Sequence, residues 1–409
     1  MTKTKLTTSI LGGIFALSAI AIPNINATGV FAEGAEDSAN ATPTVKVGVD
    51  QEDIYVSSGC KTNTASTAKY CASGNKLTFT NYNDGIIKIT DLSKINIDFS
   101  GTNKFKPEMT TSSGTTYHGT IFSFSSATSS NAEVTISGEE DSKVILAEPT
   151  VTVGTNKSLD IFANYKTLTY EDITLEADVS FLSENDRGNT RIFIPGNTSN
   201  TTIESGTITA KNFYSLIMNA NSSSNFTVND GEINTDGGIS MSGSVTINGG
   251  TLTTNQVSGH YGGFTINNGS LTINSTRASA GGALMSYEFV RFLGGTTKIT
   301  APAGGDLVYT SNSELTFGEG MCASGNVTIE GANIYPNDTS VPGEVTITKG
   351  NCPVTPAGDD TGDIKTPNTG FEKSGAILAT VIAIPSIIAA AIAGRALYRR
   401  FGHQISFKK

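Results

Sequence analysis

The middle of the chain carries the eight-residue unit Phe226-Thr227-Val228-Asn229-Asp230-Gly231-Glu232-Ile233. Two further copies follow closely, Val245-Thr246-Ile247-Asn248-Gly249-Gly250-Thr251-Leu252 and Phe264-Thr265-Ile266-Asn267-Asn268-Gly269-Ser270-Leu271. Each copy alternates apolar and polar residues, turns through two residues and a glycine, and then alternates again. Period-two alternation predicts β-strands, and the glycine supplies the positive φ that a tight corner needs. The unit therefore predicts two short strands joined by a glycine corner.

The spacing of the unit predicts how its copies are arranged. Thr202–Ile208 fits the pattern upstream, and Phe292–Gly295 and Val327–Ile334 fit it more weakly downstream. The corner glycines 206, 231, 250, 269 and 295 are separated by 25, 19, 19 and 26 residues. Steps of roughly 20 residues are typical of one coil of a β-solenoid. Such a coil cannot bury its apolar face alone, so its neighbours must stack on it.

Two all-β architectures compete for this pattern. In a right-handed parallel β-helix the glycine is a bend between strands, whereas in tandem β-sandwich modules it closes an antiparallel hairpin. The β-helix is favoured because the unit recurs at coil length and nothing repeats at the roughly 100 residues of a sandwich domain. Asparagine and threonine at matched corner positions are then expected to stack as ladders.

The repeat region resembles the pectate-lyase-like β-helix proteins and the carbohydrate-binding surface proteins of bacteria over roughly residues 130–350. The resemblance implies a β-helix repeat domain, assigned to residues 131–352. Residues 33–130 also alternate, as in Lys76–Thr80, and are expected to form an N-terminal β-rich cap or irregular first coils.

Residues 1–32 have the features of a secretory signal peptide. Lys3 and Lys5 give a positive start, and residues 10–22 are mostly apolar. Two small-residue cleavage patterns follow, Ile25-Asn26-Ala27 and Val30-Phe31-Ala32, and the second is favoured because the mature chain would then start in an acidic run. The expectation is export, with the mature chain beginning after Ala32.

The C-terminal region has the features of a membrane anchor. Residues 375–394 are uncharged and match the length of about 20 residues that a spanning helix needs, so residues 371–394 are expected to form a transmembrane segment. Residues 395–409 hold five lysines and arginines, which favour the cytoplasmic side and leave the repeat domain outside. Residues 353–370 are expected to form a flexible stalk that includes a sorting motif.

The end of that stalk resembles the cell-wall sorting signals that sortases process. The motif is Thr366, Pro367, Asn368, Thr369 and Gly370, followed by the apolar run and the basic tail. The family pattern is Leu-Pro-any-Thr-Gly, and Thr366 stands here in place of the leucine. The resemblance implies that a sortase cleaves between Thr369 and Gly370 and joins Thr369 to the cell wall. If no sortase accepts Thr366 in place of the leucine, the chain is expected to remain in the membrane as a single-pass protein.

Charge and cysteine content agree with an extracellular location. The net charge is −10, and the exported part is more acidic still because the leader and the tail are basic. An acidic surface repels phosphate backbones, so nucleic acid is excluded as a partner. The cysteines are Cys60, Cys71, Cys322 and Cys352, and proximity in sequence favours the disulfides Cys60–Cys71 and Cys322–Cys352, although four cysteines allow three pairings.

The residue types favour binding over catalysis. His260 in Gly259-His260-Tyr261-Gly262 lacks the paired aspartate and arginine motifs of a polysaccharide hydrolase, and Asp186-Arg187 is interpreted as a solvated loop pair. No catalytic, metal or cofactor site is predicted. The first hypothesis is a surface-anchored adhesin or glycan-binding protein whose partner is an extracellular glycan or a host or neighbouring cell surface. The alternatives are a surface polysaccharide lyase or hydrolase with a diverged site, and a structural coat protein.

Overall fold

The computed structural model describes residues 42–125, 132–219, 221, 223–259, 262–276, 282–311 and 314–350. Within these residues nearly all regular structure is β-strand, and a single one-turn helix, α1 (Glu184–Arg187), interrupts it. The all-β prediction is confirmed at this level. The helix was not predicted, because four residues are too few to show a helical period.

Three large sheets and one hairpin contain the strands. Sheet A holds β1 (Thr44–Val47), β2 (Glu52–Asp53), β7 (Ile87–Thr90), β12 (Thr120–Ser125), β15 (Leu159–Ala163), β18 (Thr190–Ile194), β21 (Ser215–Asn219), β24 (Gly238–Met241), β27 (Val257–Gly259), β30 (Leu284–Ser286), β33 (Val308–Thr310), β36 (Val327–Glu330) and β37 (Asn333–Pro336). Sheet B holds β3 (Cys60–Thr62), β4 (Ala68–Cys71), β5 (Lys76–Thr80), β8 (Lys94–Ser100), β13 (Glu133–Gly138), β16 (Thr167–Glu171), β19 (Asn200–Ile203), β22 (Asn225–Val228), β25 (Ser244–Ile247), β28 (Phe264–Ile266), β31 (Phe289–Phe292) and β34 (Glu314–Phe317). Sheet C holds β6 (Asn83–Asp84), β9 (Thr102–Phe105), β14 (Lys143–Leu146), β17 (Thr174–Asp178), β20 (Thr207–Lys211), β23 (Glu232–Thr235), β26 (Thr251–Thr254), β29 (Ser270–Asn274), β32 (Thr296–Ala301), β35 (Met321–Ser324) and β38 (Gly343–Lys349). The separate hairpin is β10 (Glu108–Thr111) with β11 (Gly114–Tyr117).

The chain visits the three sheets in a fixed order and then repeats it. Strands β21, β22 and β23 form one coil through sheets A, B and C, and β24, β25 and β26 form the next. Equivalent strands of successive coils pair in parallel, as β22 pairs with β25 and β25 with β28. The described residues therefore form a three-sided β-solenoid. The alternative of tandem antiparallel sandwich modules is wrong for these coils.

The interior of the coils is one continuous apolar core. In β22 the side chains of Phe226 and Val228 are buried, whereas Thr227 between them is only partly covered. Aromatic side chains also stack from coil to coil. The ring centroids of Phe122 and Phe162 are 5.1 Å apart, and those of Phe162 and Phe193 are 5.5 Å apart. Burial of such large side chains against one another holds successive coils together.

The repeated glycines form the corner between sheets B and C. The Thr251 backbone N–H donates to the Gly231 carbonyl at 2.8 Å, and the Ser270 N–H donates to the Gly250 carbonyl at 2.8 Å. The corner glycines adopt positive φ, and a side chain on any of them would collide with the backbone of the preceding coil; they are Gly206, Gly231, Gly250, Gly269 and Gly295. Both properties explain why glycine recurs at coil length.

An asparagine ladder runs beside these glycines. Asn248 donates its side-chain amide to Asn229 at 2.8 Å, and Asn267 donates to Asn248 at 2.7 Å. At the lower end Asn229 donates to Glu204 at 2.9 Å. The predicted stacking of corner asparagines is confirmed at these positions.

Antiparallel strands flank the parallel coils at both ends. At the N-terminal end, β1 pairs antiparallel with β7, and β3, β4 and β5 form an antiparallel meander. At the C-terminal end, β38 pairs antiparallel with β32 and β35. These strands cover ladder edges that would otherwise be open to pairing with another chain.

The prediction that residues 327–334 form a further copy of the repeat is wrong. Residues 327–334 match the pattern in sequence, yet they form the antiparallel hairpin β36–β37, in which Ile329 pairs with Ile334. Here the same pattern, alternating residues followed by a polar residue and a glycine, forms a hairpin turn. The second strand turns back because no further parallel coil follows for it to join.

Candidate functional site

Variation in the length of one connection shapes the surface of the solenoid. The corners from sheet B to sheet C that follow β19, β22, β25, β28 and β31 all contain three residues. The connections from sheet C to sheet A differ. Those after β20, β23 and β26 contain three, two and two residues, whereas those after β17 and β29 contain 11 and nine. A depression lies at this corner, where the connections after β20, β23 and β26 are short, and we call it the trough.

The long connection after β17, which carries α1 and is called the wall, lies beside the trough and contacts the lining residue Asn212 through Arg187. Ser183 caps the helix by accepting a bond from the Asp186 N–H, and its hydroxyl donates to the Asp186 carboxylate at 2.6 Å. That carboxylate also accepts from the Lys157 N–H at 3.0 Å. The bond from Ser183 is the main reason that the pKa of Asp186 lies below its usual value.

Arg187 completes this wall. Its guanidinium donates to the carbonyls of Leu182 and Ser180 at 3.1 and 2.9 Å, and to the Asn212 side chain at 3.3 Å. The interpretation of Asp186 and Arg187 as a solvated loop pair is therefore wrong. Asp186 is buried, and both side chains fix the fold of the wall.

The trough has a volume of about 500 Å³ and is lined mainly by polar residues. Its lining consists of four asparagines, four threonines, one aspartate and one phenylalanine, namely Asn212, Asn234, Asn255, Asn274, Thr235, Thr253, Thr254, Thr276, Asp236 and Phe213. Amides and hydroxyls both donate and accept hydrogen bonds, so this lining suits a ligand that is rich in hydroxyl groups.

Four of these side chains lie on two neighbouring coils and are called the floor quartet: Asn234, Asp236, Thr253 and Asn255. Asn234 and Thr253 are paired across the parallel strands β23 and β26. Asp236 and Asn255 follow two residues later in the same two coils, at the short connections into sheet A. Strand pairing thus places the two coils about 4.8 Å apart, with two polar side chains on each.

Other polar groups of the lining are already engaged. The buried Thr254 hydroxyl donates to the Gly237 carbonyl at 2.6 Å, and the Thr235 hydroxyl accepts from the Gly237 N–H at 2.9 Å. The Asn212 amide donates to Asp178 at 2.9 Å. Within the described residues, by contrast, the side chains of Asn234, Thr253 and Asn255 make no hydrogen bond. The floor quartet therefore offers side-chain groups that are available to a ligand.

A second polar cluster lies on sheet A and includes a shielded ion pair. The Arg191 Nε lies 2.8 Å from Asp160 Oδ1, and Nη2 lies 3.3 Å from Oδ2. Burial raises the pKa of the Asp160 carboxyl to about 6, although Arg191 opposes this change. The two charged groups bond to each other and so join β15 to β18. Neither group is therefore available to act on a substrate.

The β10–β11 hairpin adds buried polar groups near this cluster. Glu108 is buried, and its carboxylate accepts bonds from the backbone N–H and the hydroxyl of Thr150. The Tyr117 hydroxyl donates to the Ser158 carbonyl at 2.8 Å, and burial raises its pKa. Burial lowers the pKa of the His118 imidazole below its usual value. These contacts fix the hairpin and the connection 147–158 in place.

The structure bears on only some of the residues singled out in the sequence. The disulfide Cys60–Cys71 is confirmed and joins β3 to β4. Cys322 is also disulfide-bonded, but its predicted partner, Cys352, lies outside the described residues. The predicted signal peptide, stalk, sorting motif 366–370, transmembrane segment, basic tail and His260 lie outside them too.

The described residues contain no group of three or more histidine, cysteine, aspartate or glutamate side chains arranged to hold a metal ion. In the same part of the chain, no helix has the length and apolar character needed to cross a bilayer.

In comparisons with known proteins, no protein-family model, curated protein or solved structure matches the chain.

Sequence reasoning did not identify the floor quartet. Its members follow the glycine corner by three to five residues in successive copies of the repeat, so the coil spacing was the available signal. The short connections that expose them became visible only once the boundaries of the strands were known.

Proposed function

We propose that this chain is a non-enzymatic glycan-binding protein that is displayed on a bacterial cell surface. The single observation that carries the proposal is the trough, in which unpaired amide and hydroxyl groups lie on two adjacent coils of a rigid solenoid. Side chains fixed by a β-sheet lose little conformational freedom when a ligand binds, so even a modest set of hydrogen bonds yields useful affinity.

The sequence supports the location. A leader at residues 1–32, a stalk, an apolar segment at 371–394 and a basic tail are the parts of an exported protein held at its C-terminus. In this proposal a sortase accepts Thr366-Pro367-Asn368-Thr369-Gly370 and links Thr369 to the wall. Otherwise residues 375–394 retain the chain as a single-pass membrane protein. We also propose that the solenoid is right-handed, because parallel strands of one sheet are almost always connected with that hand.

Binding is tested with full-length protein on an array of oligosaccharides. We expect retention of at least one glycan and no release of shortened products. The double variant Asn234→Ala/Thr253→Ala should weaken binding at least tenfold, since each lost hydrogen bond contributes about 1 kcal/mol. The matched control is Thr227→Ala/Thr246→Ala, which removes two side chains at paired positions of β22 and β25 in sheet B, away from the trough. Equal loss in both variants, or no binding by the wild type, contradicts the proposal.

Two further outcomes separate the alternatives. Consumption of a polymer during incubation supports a lyase or hydrolase, and absence of both binding and cleavage in an abundant surface protein supports a structural coat. Placement is tested by mass spectrometry of the mature C-terminus. A peptide that ends at Thr369 and carries a cell-wall amine supports the sortase route, whereas an intact residue 409 supports the membrane route.

A further inference from the structure

The floor quartet carries a charge as well as hydrogen-bonding groups. Asp236 is the one carboxylate among the ten residues that line the described trough, and the lining contains no lysine or arginine. One oxygen of Asp236 accepts from the Asn212 N–H at 2.7 Å. The other oxygen has no such bond within the described residues, so it is available to a ligand donor.

The basic groups beside the trough do not neutralise this carboxylate through any described contact. Arg187 is held by two backbone carbonyls and by Asn212. Lys211 ends β20 opposite Asp178, with which it interacts electrostatically. Among the described residues of the lining, Asp236 therefore carries the one formal charge, in a protein that is itself acidic.

We infer, building on the proposed function, that the trough binds uncharged glycans and that Asp236 is the residue that discriminates against acidic sugars. A neutral sugar offers hydroxyl protons to the Asp236 carboxylate, and its hydroxyl oxygens accept from the amides of Asn234 and Asn255. A uronate places a second carboxylate close to Asp236, where like charges repel and neither can donate a proton. Selectivity thus arises from an unfavourable contact with the wrong ligand as much as from bonds with the right one.

The test uses matched pairs of ligands and full-length protein at low ionic strength. The probes are gluco-, manno- and galacto-oligosaccharides together with their C6-oxidised uronate counterparts. We expect the wild type to bind the neutral member of a pair at least tenfold more tightly. Asp236→Asn keeps an oxygen acceptor for the Asn212 N–H and removes the charge, so it should reduce the neutral-to-uronate ratio about tenfold.

A control variant separates a local effect from a general change in charge. Asp230→Asn removes one negative charge from the same coil, but Asp230 lies at the corner between sheets B and C, away from the trough. It should leave the neutral-to-uronate ratio within about twofold of the wild type. An equal change in both variants would mean that overall charge, and not Asp236, sets the preference.

The possible failures are distinguishable. If the wild type binds none of the oligosaccharides or the glycans of the array, the proposed function itself fails. If it binds them but prefers uronates, or if Asp236→Asn leaves the ratio unchanged, glycan binding stands and the inference about Asp236 is overturned. Circular dichroism and urea unfolding of each variant verify that the solenoid remains folded.

Discussion

Gly269 lies directly above Gly250, so that a Cβ atom built on Gly269 would stand 2.6 Å from the Gly250 carbonyl oxygen. This oxygen also accepts the N–H of Ser270, which fixes the spacing of the two coils at the corner. The backbone can neither admit a side chain here nor move away without losing a ladder hydrogen bond. The corner therefore needs glycine for close approach in addition to its positive φ.

Replacing this glycine should destabilise the solenoid strongly. Gly269→Ala combines a positive φ with a collision, and we expect a loss of about 3 kcal/mol in the free energy of unfolding. Gly304→Ala is the matched control, because Gly304 has a φ of 77° and a Cβ added to it would meet no atom within 4 Å. It should cost only about 1 kcal/mol. Urea unfolding followed by circular dichroism measures both, and equal losses would contradict the close-approach argument.

The asparagine ladder should make a smaller contribution. Asn248→Ala removes the bonds to Asn229 and Asn267. These groups are exposed to water, so the expected loss is about 1 kcal/mol. Asn268→Ala serves as the control, because the Asn268 side chain makes no hydrogen bond within the described part of the chain. A shift in the urea midpoint for Asn248→Ala and none for Asn268→Ala is expected, and the reverse order would show that the ladder is incidental.

The aromatic stack should account for a large part of the stability of the early coils. Phe162 lies between Phe122 and Phe193 and is buried. Phe162→Ala leaves a cavity that the surrounding sheets cannot close, and we expect a loss of about 3–5 kcal/mol. Phe162→Leu retains most of the volume and should cost about 1–2 kcal/mol. Thermal unfolding ranks the two variants, and an alanine variant as stable as the leucine variant would rule out a tightly packed core here.

Asp160 should make the folded state more stable at low pH than at neutral pH, which is the reverse of the usual effect of a carboxyl group. Burial raises its folded-state pKa to about 6, above the value near 4 expected for the unfolded chain. The folded state then holds a proton that the unfolded state releases between pH 4 and pH 6. The stabilisation from this group is complete below pH 4 and is lost as the pH rises through 6.

The measurement compares the wild type with Asp160→Asn at pH 4 and pH 7. The stability of the wild type relative to the variant should fall by on the order of 3 kcal/mol as the pH rises. The comparison cancels the contribution of other titrating groups. If the relative stability rises with pH instead, the attraction of Arg191 for the ionised carboxylate outweighs the cost of its burial.

Much of the solenoid was readable from local sequence because each coil repeats the same local rule. Alternation specified the strands around Phe226 and Ile233, the glycines specified the corner, and proximity specified the disulfide Cys60–Cys71. The hairpin at residues 327–334 was not readable, because its pattern is the same as that of a corner. Whether a second strand turns back or continues into the next coil depends on which strand is available to pair with it.

The sequence by itself determined that the chain forms short strands with glycine corners at coil length, since these properties depend on side-chain alternation and backbone torsion. Only the tertiary structure decided that Asn234, Asp236, Thr253 and Asn255 share one surface. Parallel pairing brings together residues that are 19 positions apart, and the short connections after β23 and β26 leave them accessible to water or a ligand. Contact between distant residues is a property of the stacked coils and not of any one coil.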